Sequence, residues 1–463
     1  MYEHLLRDPF ASSIARGATR DIDLVAAMCR FESALAAVQE RRGVLAPGAA
    51  PAITDALRPE AFDLDALARE TPDGGNVAVA FVKHAKALLP AEWQASLHVG
   101  ATSQDVLDSA LMLVIRPRLG ASLAHLDTAL AAGGRQMTAH RGTPMPGRTL
   151  TQQALPITAG AKIAQWMHGL LAAGLRLRAV HDAGLFVQFG GPVGAHHGLD
   201  NGLDQMGALA AELALACPLL PWHTDRQPVL AIGDALGSVA VAAEKIATDV
   251  AWMAQTEVAE AREPAATGSG GSSSMPHKAN PVGSTRIRAA ARQVHAAVAT
   301  LHGAGAQPHE RAFGEWHAEW APLLDAVILV EGALETLATL LDGLVLDATA
   351  MRRNLAIPAG ANLGAPSRAL LAPHLDDATA KAAIAAAVKH ARETGRAYAE
   401  ALAEQPAVAA CLDVETVLAA LDPARYTGSS ATQVDHMLTA IARTGMLAPA
   451  PTKAEVDANT SAL

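Results

Sequence analysis

The chain has 463 residues, half of them hydrophobic, with three cysteines and a formal net charge of −10. An acidic chain lacks the clustered Lys and Arg that nucleic acid or an anionic membrane surface requires, so neither partner is expected and any anionic ligand must be held by a local site. Cys29, Cys217 and Cys411 are too few and too far apart for a disulfide framework or a CxxC metal site, which fits a reducing cytoplasm. The N-terminus lacks the basic head and apolar core of a secretion signal, and the most apolar stretches stop short of the about 18 clean residues of a membrane span.

Much of the hydrophobic content is Ala, aromatic residues make up 3%, and alternating strand-like runs are hard to find, so the expected fold class is all-α. From Asp21 to Arg42 the residues Leu24, Met28, Phe31, Leu35 and Val38 mark one helix face, and Gly43 is placed to end it. Shorter helices broken by Pro and Gly follow to about Ala95, giving a small N-terminal helical domain over residues 1–104. The central domain, 105–342, carries the long helices. One starts after Asp105, a candidate N-cap, and one follows Pro156, placed near a first helical position. A third runs from Gly233 to about Glu263, where Leu236, Val239, Ala243, Ile246, Val250 and Met253 alternate spacings of three and four. The fourth passes through Leu323, Val327, Val330, Leu334, Leu337 and Leu341. A thirty-residue helix spans about 45 Å, so these helices are expected to pack side by side as a bundle and to need partners from further copies of the chain. Residues 343–446 form a C-terminal helical domain punctuated by Pro358, Pro366, Pro373, Pro406 and Pro423, and the tail 447–463 is expected to be disordered.

Between two helical segments stands the loop 264–281, containing Thr267-Gly-Ser-Gly-Gly-Ser-Ser-Ser-Met-Pro-His-Lys-Ala-Asn-Pro281. Loops of that length inside compact domains are usually functional or disordered, and a Gly/Ser linker would not need Met275, Pro276, His277, Lys278, Asn280 and Pro281 in succession. A phosphate cradle fails, because Lys278 lies between His277 and Ala279 instead of ending a Gly-Lys-Ser/Thr run, and a helix precedes the loop where a dinucleotide fingerprint wants a strand. His196-His197 has no second pair or carboxylate at ligand spacing, so no metal is expected. What remains is a set of hydroxyls, one Lys and one Asn. Lys278 can hold a carboxylate as a point charge, Asn280 can donate to an oxyanion, and a serine ringed by backbone N–H groups can exist partly as an alkoxide. That combination suits proton transfer at a carbon next to a carboxylate. Two more clusters, His98-Val-Gly-Ala-Thr-Ser-Gln-Asp105 and Pro146-Gly-Arg-Thr-Leu-Thr-Gln-Gln-Ala-Leu-Pro156, read by themselves as a capped turn and a polar loop.

Together the three clusters say more. Gly271-Ser-Ser-Ser-Met-Pro-His-Lys-Ala-Asn-Pro281 resembles the GSSxMPxKxNP signature of the fumarase/aspartase superfamily, and the other two clusters fall where that superfamily keeps its other active-site regions. The resemblance covers nearly the whole chain. It implies a three-domain, all-α homotetramer around a core of long helices, with each active site drawn from three subunits and no cofactor. It also implies that Ser272 is the base that exchanges the α-proton, that Lys278 and Asn280 hold the carboxylate and aci-carboxylate, and that Thr102, Ser103 and Gln104 line the opposite wall. Thr149, Gln153 and Arg311 join the substrate-binding set, and His98, shared with adenylosuccinate lyases, orients the substrate or assists proton transfer.

Departures narrow the reaction. Many members pair a His in a Gly-Arg-Thr-His context with a Glu seven residues beyond the signature Lys, and here those positions are Leu150 and Thr285. Expelling hydroxide or an amine benefits from a proton donor, whereas a carboxylate, with a parent acid pKa of about 4, leaves unaided. The chain is therefore expected to use a carboxylate as nucleophile or leaving group. It resembles the bacterial 3-carboxy-cis,cis-muconate cycloisomerase branch in Gly-Ala-Thr-Ser-Gln-Asp, in Gln188-Phe-Gly-Gly191, in His309-Glu-Arg-x-x-Gly-x-Trp-His-x-Glu-Trp320 and in Leu421-Asp-Pro-Ala-Arg-Tyr426. This implies lactonisation of that polycarboxylate in protocatechuate breakdown. The chain departs from the branch at Leu150 (commonly Trp), Ala279 (commonly Arg) and Pro192-Val-Gly-Ala (commonly Gly-Thr), so substrate-side contacts are expected to differ. An adenylosuccinate-lyase-like elimination and a non-catalytic helical scaffold are the rival readings.

Overall fold

Apolar stripes at helical spacing become helices here almost wherever the sequence shows them. The computed structural model describes residues 10–264, 271–272, 275–358 and 360–444, and the expected disordered tail lies outside them. After α1 (Ser13–Gly17), the stripe read from Asp21 is α2 (Asp21–Arg41), with Gly43 at φ 72° just beyond its end. Helices α3 (Ala49–Ala56), α4 (Leu64–Gly74) and α5 (Val77–Leu88) follow. Helix α6 (Ser103–Ala139) starts ahead of Asp105, so that residue is not the N-cap. It sits inside the first turn and takes the backbone N–H of Thr102 on its carboxylate at 3.0 Å, which is half of a capping box.

The polar loop expected at Pro146–Pro156 is instead a hairpin of β1 (Pro144–Thr149) and β2 (Gln152–Thr158), paired antiparallel from Pro144↔Thr158 to Thr149↔Gln152. Pro156 lies in β2 and not at a helix start. Prolines survive here because each strand of a two-stranded ribbon has an outer edge where a missing donor costs no ladder bond. Helices α7 (Ala159–Ala183), α8 (Gly202–Leu213) and α9 (Gln227–Met253) come next. The stripe of α9 is buried from Leu236 to Met253 as expected, but the helix stops at Met253 and not near Glu263. Ala259, at φ 54°, turns the chain back so that the Glu260 N–H donates to Met253 O at 2.9 Å.

The turned chain enters β3 (Ala261–Arg262), and the signature stretch contributes β4 (Gly271–Ser272) and β5 (Met275–Ala279) before α10 (Val282–Ala304). Helix α11 (Glu315–Asp342) buries its whole stripe from Leu323 to Leu341. Then β6 (Val345–Leu346) pairs with β3, and α12 (Ala348–Ala356), α13 (Gly364–Leu371), α14 (Asp377–Thr394), α15 (Tyr398–Ala403), α16 (Pro406–Ala409), α17 (Val414–Ala420) and α18 (Ser430–Arg443) complete the described chain. Asp347, Asp376 and Asp413 cap α12, α14 and α17 with their side chains. The protein is all-α, with three short two-stranded ladders among the described residues.

The described residues group into two compact units. The first takes those up to 126 with 172–244 and 286–336, and the second takes 127–171, 245–285 and those from 337 onward. No helix among the described residues is long and apolar enough to cross a membrane.

Candidate active site

In the first unit the His98 turn is held from α2. Glu32 and Gln39, seven residues apart and so on one helix face, are both buried. His98 Nδ1 donates to Glu32 Oε1 at 2.6 Å, and Gln39 Nε2 donates to the Val99 carbonyl at 2.9 Å. A carboxylate only accepts, so Glu32 fixes the proton on Nδ1. His98 itself stands at φ 67°, a conformation that a non-glycine residue keeps only when its surroundings impose it. Gly100 follows at φ 72°, where an added Cβ would lie 2.4 Å from Leu199. Burial alone would pull the His98 imidazole down, but the charge and hydrogen bond of Glu32, helped by Asp105, more than offset it and hold the pKa above the ordinary histidine value.

Past this turn, α6 roots a buried polar network. Asp105 accepts the Gly191 N–H at 2.9 Å and His223 Nε2–H at 2.7 Å besides the Thr102 N–H. Gly191 has to be glycine, since its φ is 71° and a Cβ would come within 2.9 Å of Gly100 O. Gln104 Nε2 donates to the His223 carbonyl and to Asp108, and Gln104 Oε1 is buried with no partner among the described residues. Asp108 in turn accepts from Trp316 Nε1 at 2.9 Å and from Arg226 at 2.8 Å, and Arg226 also pairs with Glu319 at 2.7 Å. Burial pushes the Glu319 carboxyl up against the opposing pull of Arg226. Arg311 has no hydrogen-bond partner for Nε or Nη2 among the described residues. Burial draws its guanidinium below the usual value although Asp105 and Asp108 pull the other way. A half-buried guanidinium with free donors is suited to a substrate carboxylate.

In the second unit the hairpin tip is Leu150-Thr151, both at positive φ (49° and 67°), and Leu150 is 96% exposed. Thr149 is exposed at the end of β1, while Gln153 is half-buried opposite Arg148 and its Oε1 has no partner among the described residues. Arg148 makes a two-pronged bond to Glu260, at 2.8 and 2.6 Å, and Glu260 is completely buried. In the signature stretch β4 and β5 pair antiparallel, Gly271 with Ala279 and Ser272 with Met275, and Lys278 and Asn280 are exposed. Glu263 accepts the Gly283 and Ser284 N–H groups, each at 2.8 Å, at the start of α10. Thr285 spends its hydroxyl on the Pro281 carbonyl at 2.8 Å.

The expected site residues therefore divide. His98, Thr102, Ser103, Gln104 and Arg311 lie in the first unit, while Thr149, Gln153, Ser272, Lys278 and Asn280 lie in the second. Gln104 belongs to the Asp105–Asp108 network, and Ser103 Oγ sits 3.5 Å from Asn76 Nδ2. Glu32, Arg226, Glu260 and Glu263 belong to no motif. The signal available for Glu32 is a charged residue set between the apolar positions Met28, Phe31 and Leu35 of α2. No group of His, Cys, Asp and Glu among the described residues is arranged to hold a metal ion.

Residues 16–296 match the protein family described as Lyase. The nitrosuccinate lyase of Streptomyces davaonensis is 42% identical over 445 residues, 93% of this chain and 94% of its own length. The 3-carboxy-cis,cis-muconate cycloisomerase of Bradyrhizobium diazoefficiens is 38% identical over 443 residues, 95% of this chain and 98% of its own. Among solved structures, the 3-carboxy-cis,cis-muconate lactonizing enzyme from Pseudomonas putida superposes with a TM-score of 0.88 at 33% identity, covering 94% of this chain and 98% of that one. A family match over more than half of the chain, joined by relatives and a solved structure that span nearly all of it, makes this chain a lyase-family enzyme of the fumarase/aspartase superfamily.

Proposed function

We propose that the enzyme lactonises 3-carboxy-cis,cis-muconate to a carboxymuconolactone. One substrate carboxylate oxygen bonds to the β-carbon of a double bond conjugated to another carboxylate, and the π pair moves onto the α-carbon as an aci-carboxylate. Lys278 and Asn280 stabilise that dianion, and Ser272 delivers the proton that completes the α-carbon. His98, Thr102, Ser103, Gln104, Thr149, Gln153 and Arg311 bind or orient the remaining carboxylates. Counted as free acids, substrate and lactone have the same formula, so the reaction is an isomerisation; because the carboxylate that closes the ring is already ionised, the proton that Ser272 gives to the α-carbon is replaced from solvent. The proposal includes the three-domain division at residues 104 and 342 and a homotetramer whose active sites each draw on several subunits.

The observation that carries this reading is the replacement of the usual proton-donor pair. Leu150 is an alkyl side chain at an exposed hairpin tip, and the Thr285 hydroxyl is spent on its own helix. A weakly basic carboxylate oxygen needs no donor at either position, whereas hydroxide or an amine would benefit from one. The cycloisomerase relatives support this choice of substrate.

A second reading, β-elimination of nitrite from nitrosuccinate, is favoured by the 42% identity to the nitrosuccinate lyase and by the departures from the cycloisomerase pattern at Leu150 and Ala279. It obeys the same logic, because nitrite too is a weak base that leaves without a proton. The two are separated by one pair of assays on the purified enzyme. Loss of the ultraviolet absorption of the conjugated diene reports lactonisation, and colorimetric nitrite release reports elimination. Turnover of adenylosuccinate in preference to both would overturn the donor-free logic, and failure to bind any of the three would favour the scaffold reading.

A further inference from the structure

Strand β3 is only two residues long, yet a buried glutamate stands immediately before it and another acidic residue immediately after. Glu260 receives Arg148 through both guanidinium nitrogens and Asn354 Nδ2 at 2.8 Å, so its two oxygens carry three hydrogen bonds inside the second unit. Its backbone is fixed as well, with the N–H on Met253 O at 2.9 Å and the carbonyl on the Asp347 N–H at 3.0 Å. Glu263 binds the opposite end of the signature stretch. Its Oε2 takes the Gly283 N–H and its Oε1 takes both the N–H and the hydroxyl of Ser284, the latter at 2.5 Å. A carboxylate at this helix start also meets the positive end of the α10 dipole.

Neighbouring residues make room for this arrangement. An added Cβ at Gly283 would lie 3.1 Å from Glu263 Oε2, and one at Gly343 would lie 2.5 Å from Pro264 Cβ. Pairing of Ala261 with Leu346 and of Arg262 with Val345 anchors the strand between the two glutamates.

We infer that Glu260 and Glu263 are positioning residues for the reaction proposed above, Glu260 setting the hairpin that carries Thr149 and Gln153, and Glu263 setting the stretch that carries Ser272, Lys278 and Asn280; the inference rests on that reading. Glu260 acts through Arg148, which precedes Thr149 and lies across from Gln153 in the hairpin register. Glu263 acts through the first turn of α10. Asn280 and Lys278 lie on the approach to that turn, and β5 places Ser272 by pairing with β4. Thr149, Lys278 and Asn280 are exposed, so their backbones have to be held from behind. Two side chains that flank one short strand hold both.

The test uses Glu260→Gln and Glu263→Gln in the full-length enzyme. Each amide keeps the shape but turns one acceptor into a donor that faces another N–H. Displacing the proton-transfer serine by about an ångström should cost Glu263→Gln about 100-fold in kcat with KM little changed. Glu260→Gln should mainly raise KM, about 10-fold. Hydrogen exchange should quicken at residues 282–285 in the first variant and at 144–158 in the second, without a general rise. Unchanged kinetics in an active parent, or activity lost in step with exchange rising everywhere, would overturn the inference in favour of a merely structural role. If Glu263→Gln does not fold, Ser284→Ala removes one of the same bonds and should reproduce a smaller kcat loss; a normal kcat there counts against the proposal. Should the parent turn over neither substrate, the assigned reaction falls, while the exchange pattern still decides whether the glutamates brace those two segments.

Discussion

The two units hold their functional residues by opposite means. In the first, expected residues join a buried, charged network, so that Thr102 bonds to Asp105 and Gln104 to Asp108, and Asp108 shares Arg226 with Glu319. In the second, Lys278, Asn280 and Thr149 are exposed, and the carboxylates that brace their segments are the buried Glu260 and the half-buried Glu263, which binds the first turn of α10. Folding and function are therefore entangled in the first unit and separable in the second. Substitutions in the second unit should remove activity from a stable protein, while substitutions in the network of the first should remove stability.

The largest effect expected on that contrast is Ser272→Ala. A positioned proton-transfer group contributes about 100- to 10,000-fold, and loss on that scale with an unchanged unfolding transition is the expected result. Activity within a few-fold of the parent would remove Ser272 from its role and with it the separability claimed for the second unit. The counterpart in the first unit is Arg226→Ala, which leaves Asp108 and Glu319 buried without their shared cation. Breaking a buried pair in this way costs about 3–5 kcal/mol, read as a fall in unfolding free energy by denaturant titration. Replacing the network with a well-packed apolar set could be nearly neutral, so the single substitution and not the pair's net worth is what the measurement reports. A stable Arg226→Ala enzyme would erase the difference between the units.

How much of this was legible in the sequence differs between the units for the same reason. The apolar stripes of α2, α9 and α11 are buried as expected because apolar spacing alone determines which face is buried, although α9 itself runs from Gln227 to Met253 and not from Gly233 to about Glu263. The hairpin at 144–158 is not legible in the sequence because Pro144, Pro146 and Pro156 signal a loop locally, and only pairing with a second edge shows that they are harmless. The far end of α9 was misplaced because nothing in Gln255-Thr-Glu-Val-Ala-Glu260 breaks a helix; the left-handed Ala259 and the bonds of Glu260 break it from outside. Motif residues that face the substrate can be recognised by their pattern. Residues that hold them, such as Glu263 and Arg226, have partners distant in sequence and no pattern of their own.

A smaller effect sharpens the first unit. His98 is held protonated above the ordinary histidine range against burial, by Glu32 first and by Asp105, with Lys86 opposing. The folded state thus binds this proton more tightly than the unfolded chain. The stabilisation it gives is complete below the ordinary imidazole pKa and is lost as pH rises through the raised folded value. Glu32→Gln removes the larger of the two raising influences and leaves burial and Lys86 opposed only by Asp105, so the imidazole should become neutral at lower pH and the stability difference across that window should shrink. Denaturant titrations on either side of the window check it. If His98 takes part in turnover, the alkaline limb of the kcat/KM profile should move to lower pH in the same variant; a fixed limb would confine His98 to structure.

The smallest effect concerns the hairpin tip, where the second unit departs from its own economy. A two-residue hairpin turn with both residues at positive φ is normally built from Asn-Gly, yet Leu150 and Thr151 occupy it here. A bulky or β-branched residue in the left-handed region costs about 1–2 kcal/mol, and Leu150 recovers none of that by burial, since it is 96% exposed. Replacing the pair by Leu150→Asn with Thr151→Gly should therefore raise the unfolding free energy by about 1–3 kcal/mol, less the entropy that glycine adds to the unfolded chain. Strain that persists without local compensation is expected where the side chain serves a ligand. The stabilised variant should then bind substrate more weakly, seen as a raised KM at nearly constant kcat. A gain in stability with unchanged KM would show that Leu150 does not touch the substrate. The choice between a carboxymuconate and nitrosuccinate would then rest on Ala279 and on the Pro192-Val-Gly-Ala turn of the first unit.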